Sequence, residues 1–369
     1  MSAAMSLPLN SHKSTKTPDT EDIMENKMKV LVAMSGGVDS SVCAKLLIEK
    51  NFEVAGATMS LCPEHEQDVA DARSVAEKLG IPFYVFDFAD EFRTHVTDRF
   101  VNTYLSGGTP NPCVDCNRHL KFGSFLEKAQ QLGFDCIATG HYVTKIKDER
   151  TGRWLLKRSA DRKKDQTYVL YSLTQQQLES SLFPVGEMNK DEIRNIAGEN
   201  SLVSADKPDS QDICFIPNGD YADYIIRRTG EQKGGDIVLT TGEKLGTHKG
   251  LIHYTIGQRR GVGVSYSEPI FVVEKDTANN RLVLGTSDKL LRTSLTACDV
   301  NFLITDKLNS PIKCTACTRY HQQDMPCTVT PLGEDRVRVD FEQPHKAVCK
   351  GQAVVFYDGE YLIGGGTIE

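Results

Sequence analysis

The chain has 369 residues, 39% of them apolar and 8% aromatic, which gives length for two or three domains that each bury a core. Its 43 basic and 50 acidic side chains leave a formal charge of −7, excluding a protein that coats nucleic acid indiscriminately; such a partner must meet local basic patches, as in RSADRKK (158–164) or GQRRG (257–261). No apolar run reaches the roughly eighteen residues of a membrane helix, and the start lacks the order of a secretory signal, so the expected location is the cytoplasm with no membrane partner.

Residues 1–27 are polar, show no apolar period and are expected to be disordered. They lack Arg and carry Asp19, Glu21, Asp22 and Glu25, unlike an organelle transit peptide. Met28 directly precedes the first strand, so this extension reads as an accessory segment or a misassigned start. From Lys29, strands expected at 29–34, 53–61, 82–88 and 135–142 alternate with helices at 40–51, 68–80, 92–107 and 121–133. That alternation predicts right-handed βαβ units, a parallel sheet covered on both faces, and a ligand beyond the strands' carboxyl ends. Around residue 205 the pattern changes to a Gly-rich stretch, and from about Pro269 short alternating strands predict an antiparallel barrel or sandwich. The expected division is therefore extension 1–27, nucleotide domain 28–205, connector 206–268 and C-terminal β-barrel 269–369.

The segment Met34 to Ser41, MSGGVDSS, leaves the first strand and opens a helix. Its two glycines allow positive φ and close backbone approach, and the first N–H groups of the helix and the hydroxyls of Ser35, Ser40 and Ser41 suit a phosphate or pyrophosphate. Asp39 is unfavourable beside a phosphate unless a metal lies between them, which gives it a Mg2+-linked role. The string is neither a Walker A loop nor a dinucleotide fingerprint. It resembles the PP-loop of the ATP pyrophosphatases, which cleave ATP between its α- and β-phosphates and activate a substrate oxygen as its adenylate.

Eleven cysteines without an export signal imply reduced thiols whose spacing matters. Cys113 and Cys116 lie in Thr109-Pro-Asn-Pro-Cys-Val-Asp-Cys, expected to be a loop with exposed thiols near the sheet's carboxyl edge; Cys214 lies in DSQDICFI, also loop-like on its N-terminal side. Sulfur chemistry is the reading favoured here. A thiolate or persulfide can displace an activated oxygen, and one cysteine can carry sulfane sulfur while a second attacks it, leaving a disulfide for a reductant to reopen. Cys314 and Cys317, three apart on a barrel strand, point to opposite faces and are expected to pack rather than to bind metal.

Taken in order, SGGVDSS, TPNPCVDCNRHLKF, ATGHY, KKDQTYVLYSL, DSQDICFI, GTHKGLIHYTIGQRRGVG, TRYHQQDMPC and GQAVVFYDGEYLIGGGTI resemble the tRNA-specific 2-thiouridylases, the MnmA family, from about residue 28 to the end. The resemblance implies an α/β, doubly wound PP-loop domain of the adenine nucleotide α-hydrolase-like kind, a small connector and a C-terminal antiparallel β-barrel. It implies replacement of the carbon-2 oxygen of the tRNA wobble uridine by sulfur, with ATP cleaved to AMP and diphosphate. The family's ATP contacts fall on Ala33, Met34, Ser35, Gly36, Gly37, Val38, Asp39, Ser40, Met59 and Gly140. Its nucleophilic cysteine falls on Cys116 and its persulfide cysteine on Cys214. Its contacts to tRNA and target base fall on Asn111, Pro112, Cys113, His141, Lys164, Asp165, Gln166, Arg319, Tyr320 and Gln352. Implied partners are tRNA and a sulfur donor, whether a persulfide carrier, a cysteine desulfurase or inorganic sulfide; implied cofactors are ATP and Mg2+.

One departure changes the chemistry. Family members with N-P-D-x-x-C place an acidic residue where this chain has Cys113, so that acid–base assignment does not carry over. Members with C-x-x-C in the loop look like iron–sulfur enzymes, which would make Cys113, Cys116 and Cys214 ligands of a 4Fe–4S cluster. This cluster is expected slightly ahead of a two-cysteine persulfide relay, because Cys113 has no role in the relay. The rival readings are another PP-loop synthetase or tRNA-modifying enzyme, and a redox or zinc-binding RNA module with a vestigial nucleotide loop.

Overall fold

The computed structural model describes residues 27–202, 213–320, 322–346 and 348–369. All but the last residue of the N-terminal extension, the boundary expected at 205/206, and Asp209 to Asp212 of the Cys214 motif lie outside the described residues.

Strand β1 (Lys29–Ala33) is followed by α1 (Val38–Glu49), β2 (Glu53–Ser60), α2 (Glu66–Leu79) and β3 (Phe83–Asp87). A long helical excursion comes next: α3 (Ala89–Phe92) and α4 (Asp98–Leu105), then α5 (Pro112–Asp115) and α6 (Phe125–Gln131), each pair joined by a π-helical stretch. The chain returns through β4 (Cys136–Ala138), a hairpin of β5 (Val143–Lys147) and β6 (Trp154–Arg158), then α7 (Gln175–Glu179), β7 (Ser181–Leu182) and α8 (Lys190–Glu199). The five strands of the first sheet are parallel, in the order β3-β2-β1-β4-β7. Alternate residues of β1 enter opposite cores: Val30 and Val32 meet Val42 of α1 and Ile193 of α8, whereas Leu31 joins Phe100, Phe122 and Phe125 of the excursion. Chain order reverses between β1 and β4, so their carboxyl ends border the crevice where an open α/β sheet takes its ligand.

A middle unit holds α9 (Tyr221–Thr229) and the strands β8 (Gly235–Leu239), β9 (Lys244–His248), β10 (Phe271–Asp276) and β11 (Arg281–Gly285), in sheet order β10-β11-β8-β9 around Ile237, Val272, Leu282 and Leu284. The last six strands, β12 (Leu291–Phe302), β13 (Ile312–Cys317), β14 (Met325–Pro331), β15 (Val337–Lys346), β16 (Ala353–Asp358) and β17 (Tyr361–Ile368), close into an antiparallel barrel because β12 pairs with both β15 and β17. Two corrections follow. β10 and β11, expected in the barrel from residue 269, pair with the middle unit instead, since alternation shows that a segment is a strand but not which sheet it joins. The β5–β6 hairpin leaves the first unit and extends the barrel through β6 and β17.

Candidate active site

At the end of β1, Met34 N–H donates to Ala57 O at 2.8 Å, keeping the strand in register until the turn begins. The Ser40 and Ser41 hydroxyls donate to Gly37 O at 3.1 and 2.9 Å, and Ser35 N–H donates to Ser40 Oγ at 3.2 Å. These bonds hold the turn from below. Gly37 caps α1 without a side-chain hydrogen bond, so the first N–H groups of the helix are left for an anion. Only one of the two glycines has the expected positive φ: Gly36 lies at +69° and Gly37 at −90°. The close approach at Gly36 is to α2, because a β-carbon there would stand 2.7 Å from Asp71 Cβ and 2.9 Å from Asp68 O. Gly140, at the exit of β4, leans on the cradle from the other side; its β-carbon would meet Asp39 C at 2.7 Å and Ser40 N at 2.8 Å.

Asp39 Oδ1 accepts from the Tyr142 hydroxyl at 2.6 Å and from Lys190 Nζ at 2.8 Å. Sequence reasoning missed Lys190. Its surroundings, MNKDE, carry only the signal of a helix start, and Asn189 and Glu192 form a capping box there.

The cysteine segment is a helix rather than the expected loop. Asn111 is its N-cap, accepting from Cys113 N–H at 3.2 Å, and Pro112 occupies the first turn. Asparagine followed by proline is a helix-start signal as well as a turn signal, and the start won. Cys113 and Cys116 are therefore one turn apart on the same side, Cys113 exposed and Cys116 half-buried. Cys116, Met59, Cys62 and Ile213 pack against the same core, and Cys214 next to Ile213 is exposed. The thiols share one electrostatic neighbourhood. Desolvation pushes Cys116 up to about 11 and Cys214 up to about 12; negative charge on Cys116, Cys113 and Cys62 adds to the rise at Cys214, while Lys121 lowers it. Cys113 is raised too, since protein packs round it closely enough to desolvate the sulfur despite its exposure, against the pull of Lys121. Cys62, at the exit of β2, is a fourth thiol the sequence reading passed over; burial and a hydrogen bond with Glu64 raise it to about 12.

Raised thiol pKa values mean neutral, slow thiols at physiological pH. Iodoacetamide at pH 7.5 should alkylate Cys116 and Cys214 roughly a hundredfold more slowly than an unhindered cysteine, with rates climbing as pH rises toward about 11 and 12. Residue-resolved mass spectrometry measures this directly. Rates equal to the free thiol would mean that Lys121 outweighs desolvation.

The other two units hold the cysteine helix in place. Gly108 O accepts from buried Lys275 Nζ of β10 at 3.0 Å, Lys350 O accepts from Thr109 N–H at 2.8 Å, and Pro110 O accepts from Gln352 Nε2 at 3.2 Å. Arg118 donates to Asp299 of β12 at 2.5 Å, and Arg99 bridges Asp115 and Asp299 at 3.3 and 3.6 Å. Burial lifts the Asp115 carboxyl to about 6 although Arg99 and Arg118 pull it down.

The residues expected to meet tRNA are placed as follows. Asp165 accepts from Ser159 N–H at 2.9 Å and the Thr167 hydroxyl at 2.6 Å, and Gln166 Oε1 accepts from Tyr142 N–H at 2.9 Å. Lys164 N–H donates to Asp161 O at 3.0 Å in the turn before them. Tyr320 is 40% exposed, and partial burial together with charge on Asp165 and Cys113 raises its hydroxyl to about 12, so the three stand within electrostatic reach. Arg319 donates to Ile256 O and Cys349 Sγ, both at 3.0 Å. His141 is buried between Phe122 and Phe183 and bonded to Thr139 Oγ1 at 2.8 Å; burial and Lys121 keep its ring neutral at pH 7.

Among the described residues no three His, Cys, Asp or Glu side chains, Cys113, Cys116 and Cys214 included, converge to hold a metal ion. Cys314 and Cys317 pack as expected: Cys314 faces Cys327 at 3.6 Å beside the barrel core, and Cys317 joins the core under the first sheet.

Comparison with known proteins accounts for nearly the whole chain. Residues 28–218 match the family described as tRNA methyl transferase HUP domain, 222–286 the tRNA methyl transferase PRC-barrel domain, and 292–368 the aminomethyltransferase beta-barrel domain. The tRNA-specific 2-thiouridylase MnmA of Clostridioides difficile strain 630 is 46% identical over 353 residues, covering 92% of this chain and 98% of that protein. Its counterpart from Symbiobacterium thermophilum is 48% identical over 358 residues, covering 92% of each.

Proposed function

The chain belongs to the family of tRNA-specific 2-thiouridylases, and from that membership we propose that Cys116 and Cys214 relay sulfur to a tRNA uridine activated by ATP at the β1–α1 cradle. The overall activity is that of an ATP-dependent tRNA uridine 2-sulfurtransferase. What supports the residue assignment is one juxtaposition: the cradle leaves the carboxyl end of β1, and Cys62, just beyond the carboxyl end of neighbouring β2, stands with Cys113 and Cys116 within electrostatic reach of Cys214.

ATP would lie along Ala33 to Ser40, with Met59 and Gly140 on either side. The carbon-2 oxygen of the wobble uridine attacks the α-phosphorus; an O–P bond forms, diphosphate leaves on the helix N-terminus, and carbon 2 becomes electrophilic. Both described contacts of Asp39 fall on Oδ1, so Oδ2 would take a magnesium ion, which typically keeps one or two carboxylates and the nucleotide phosphates. That ion would supply charge neutralisation. Cys214 would carry the sulfane sulfur as a persulfide, taken from the persulfide of a carrier or of a cysteine desulfurase, whose own thiol is released; inorganic sulfide would instead add directly to the activated carbon 2. The Cys116 thiol attacks the Cys214 sulfur, forming the Cys116–Cys214 disulfide while its proton passes to the departing outer sulfur; the sulfide so released adds to carbon 2, loses its protons to water and expels AMP with the original oxygen. A thiol reductant then returns both cysteines. No step of this relay passes through an iron–sulfur cluster.

We assign the base-facing role to Asn111, Cys113 and Tyr320, whose exposed ring can stack on an extruded base, with buried Pro112 fixing the helix start behind them. Lys164, Asp165 and Gln166 would follow the adjoining backbone. His141, Arg319 and Gln352 are engaged within the protein and would shape the cleft. No helix among the described residues is long and apolar enough to cross a membrane, and we place the reaction with tRNA in the cytoplasm. Unmodified tRNA incubated with the protein, ATP, a cysteine desulfurase with its cysteine substrate, and reductant should yield 2-thiouridine at the wobble position with one AMP per base, read by nucleoside mass spectrometry. No ATP-dependent 2-thiouridine would refute this reading.

A further inference from the structure

The cradle motif MSGGVDSS contains no cation. A Walker A loop carries a lysine that reaches the β- and γ-phosphates, but here the anion would meet only backbone dipoles and hydroxyls, and a helix N-terminus offers about half a positive charge. Diphosphate leaves with several negative charges. The fold brings a lysine to this place from 151 residues away in sequence.

Lys190 opens α8, where an ordinary lysine would extend into water, yet it is 6% exposed. Its position is fixed several times over. Its N–H donates to Asp161 Oδ2 at 3.2 Å, the Asn189–Glu192 capping box sets the first turn, and α8 packs beside α1 through Ile193 and Val42. The ammonium ends 2.8 Å from Asp39 Oδ1 and 5.8 Å from the Tyr142 ring. Burying a lysine against a carboxylate adds little stability over an apolar pair, so stability alone does not account for it.

We propose that Lys190 is a phosphate-binding residue of the adenylation site, its ammonium turning from Asp39 to the β- and γ-phosphates of ATP and then neutralising the departing diphosphate. Asp39 stores the ammonium in the empty site; Tyr142 keeps the carboxylate in place when the ammonium leaves. This rests on the ATP reading above, so the test separates the two.

Binding of ATP, AMP and inorganic diphosphate to wild type, Lys190→Met, Lys190→Arg and Lys190→Gln is measured by calorimetry, with thermal unfolding in parallel. In Lys190→Met, affinity for ATP and diphosphate should fall at least about tenfold while AMP affinity stays within about threefold, because AMP has no β- or γ-phosphate for the ammonium to meet. Lys190→Arg should restore most of the discrimination, and Lys190→Gln, which keeps a donor but no charge, should lose it as Lys190→Met does. Equal losses for ATP and AMP, or none for ATP, overturn the proposal. Should Lys190→Met not fold, the same comparison is read from Lys190→Gln: a selective loss for ATP and diphosphate upholds the proposal, and a wild-type ratio overturns it. A wild type that binds no ATP refutes the proposed function instead.

Discussion

Serine at Cys116 or at Cys214 is expected to reduce tRNA thiolation by at least about 10³-fold while ATP binding stays at the wild-type level. Serine keeps the volume and the hydrogen-bonding capacity of cysteine, and neither sulfur lies in the cradle, so what is lost is the sulfur itself. Both variants must be equally inactive, because the relay forms and breaks one bond between the two residues. Cys113→Ser is the informative third variant. It shares a helical face with Cys116 and the charge neighbourhood of Cys214, yet the relay gives it no bond to make. Its activity should stay within about threefold of wild type in nucleoside mass spectrometry, with any loss appearing in KM for tRNA. Inactivity as deep as that of the other two, together with iron in anaerobically purified protein, would restore the three-cysteine cluster and remove the relay. Full activity of Cys116→Ser or Cys214→Ser is incompatible with sulfur transfer as argued here.

The cradle was legible in the sequence because all its parts lie within MSGGVDSS, and a glycine-rich turn between an apolar run and a helix has few other physical meanings. The parallel sheet was legible for a related reason: each βαβ unit is local, and its strands are apolar on both faces. What escaped was set by contacts distant in sequence. Lys190 meets Asp39 across 151 residues, and nothing in MNKDE distinguishes a buried lysine from a solvated one. β10 and β11 show ordinary alternation, which is silent on whether they pair with β8 or with the barrel. Cys113 and Cys116 were misplaced by a local ambiguity: Pro110, Asn111 and Pro112 were weighed as breakers, whereas Asn111 and Pro112 are cap and first turn. The correction matters chemically, since a helix presents its two thiols at a fixed spacing and a loop does not.

Alanine at Gly140 is expected to cripple the adenylation site although it adds a single methyl group. That methyl would stand 2.7 Å from Asp39 C and 2.8 Å from Ser40 N, both backbone atoms, so no side-chain rotation relieves the contact. Either the exit of β4 or the first turn of α1 must move. Overpacking of this kind costs about 1–3 kcal/mol, and displacing the N–H groups that face the phosphates should lower the rate of AMP formation about a hundredfold. A second glycine provides the control. Gly198, near the end of α8, has no atom within 4 Å of its would-be β-carbon, so Gly198→Ala should stabilise the fold by about 0.5–1 kcal/mol through helix propensity and leave ATP binding unchanged. Thermal unfolding and ATP calorimetry on the two variants should therefore move in opposite directions for stability and diverge for binding. If Gly140→Ala binds ATP as wild type does and unfolds no earlier, the β4 exit does not shape the cradle, and the β1–β4 crevice is not where the nucleotide lies.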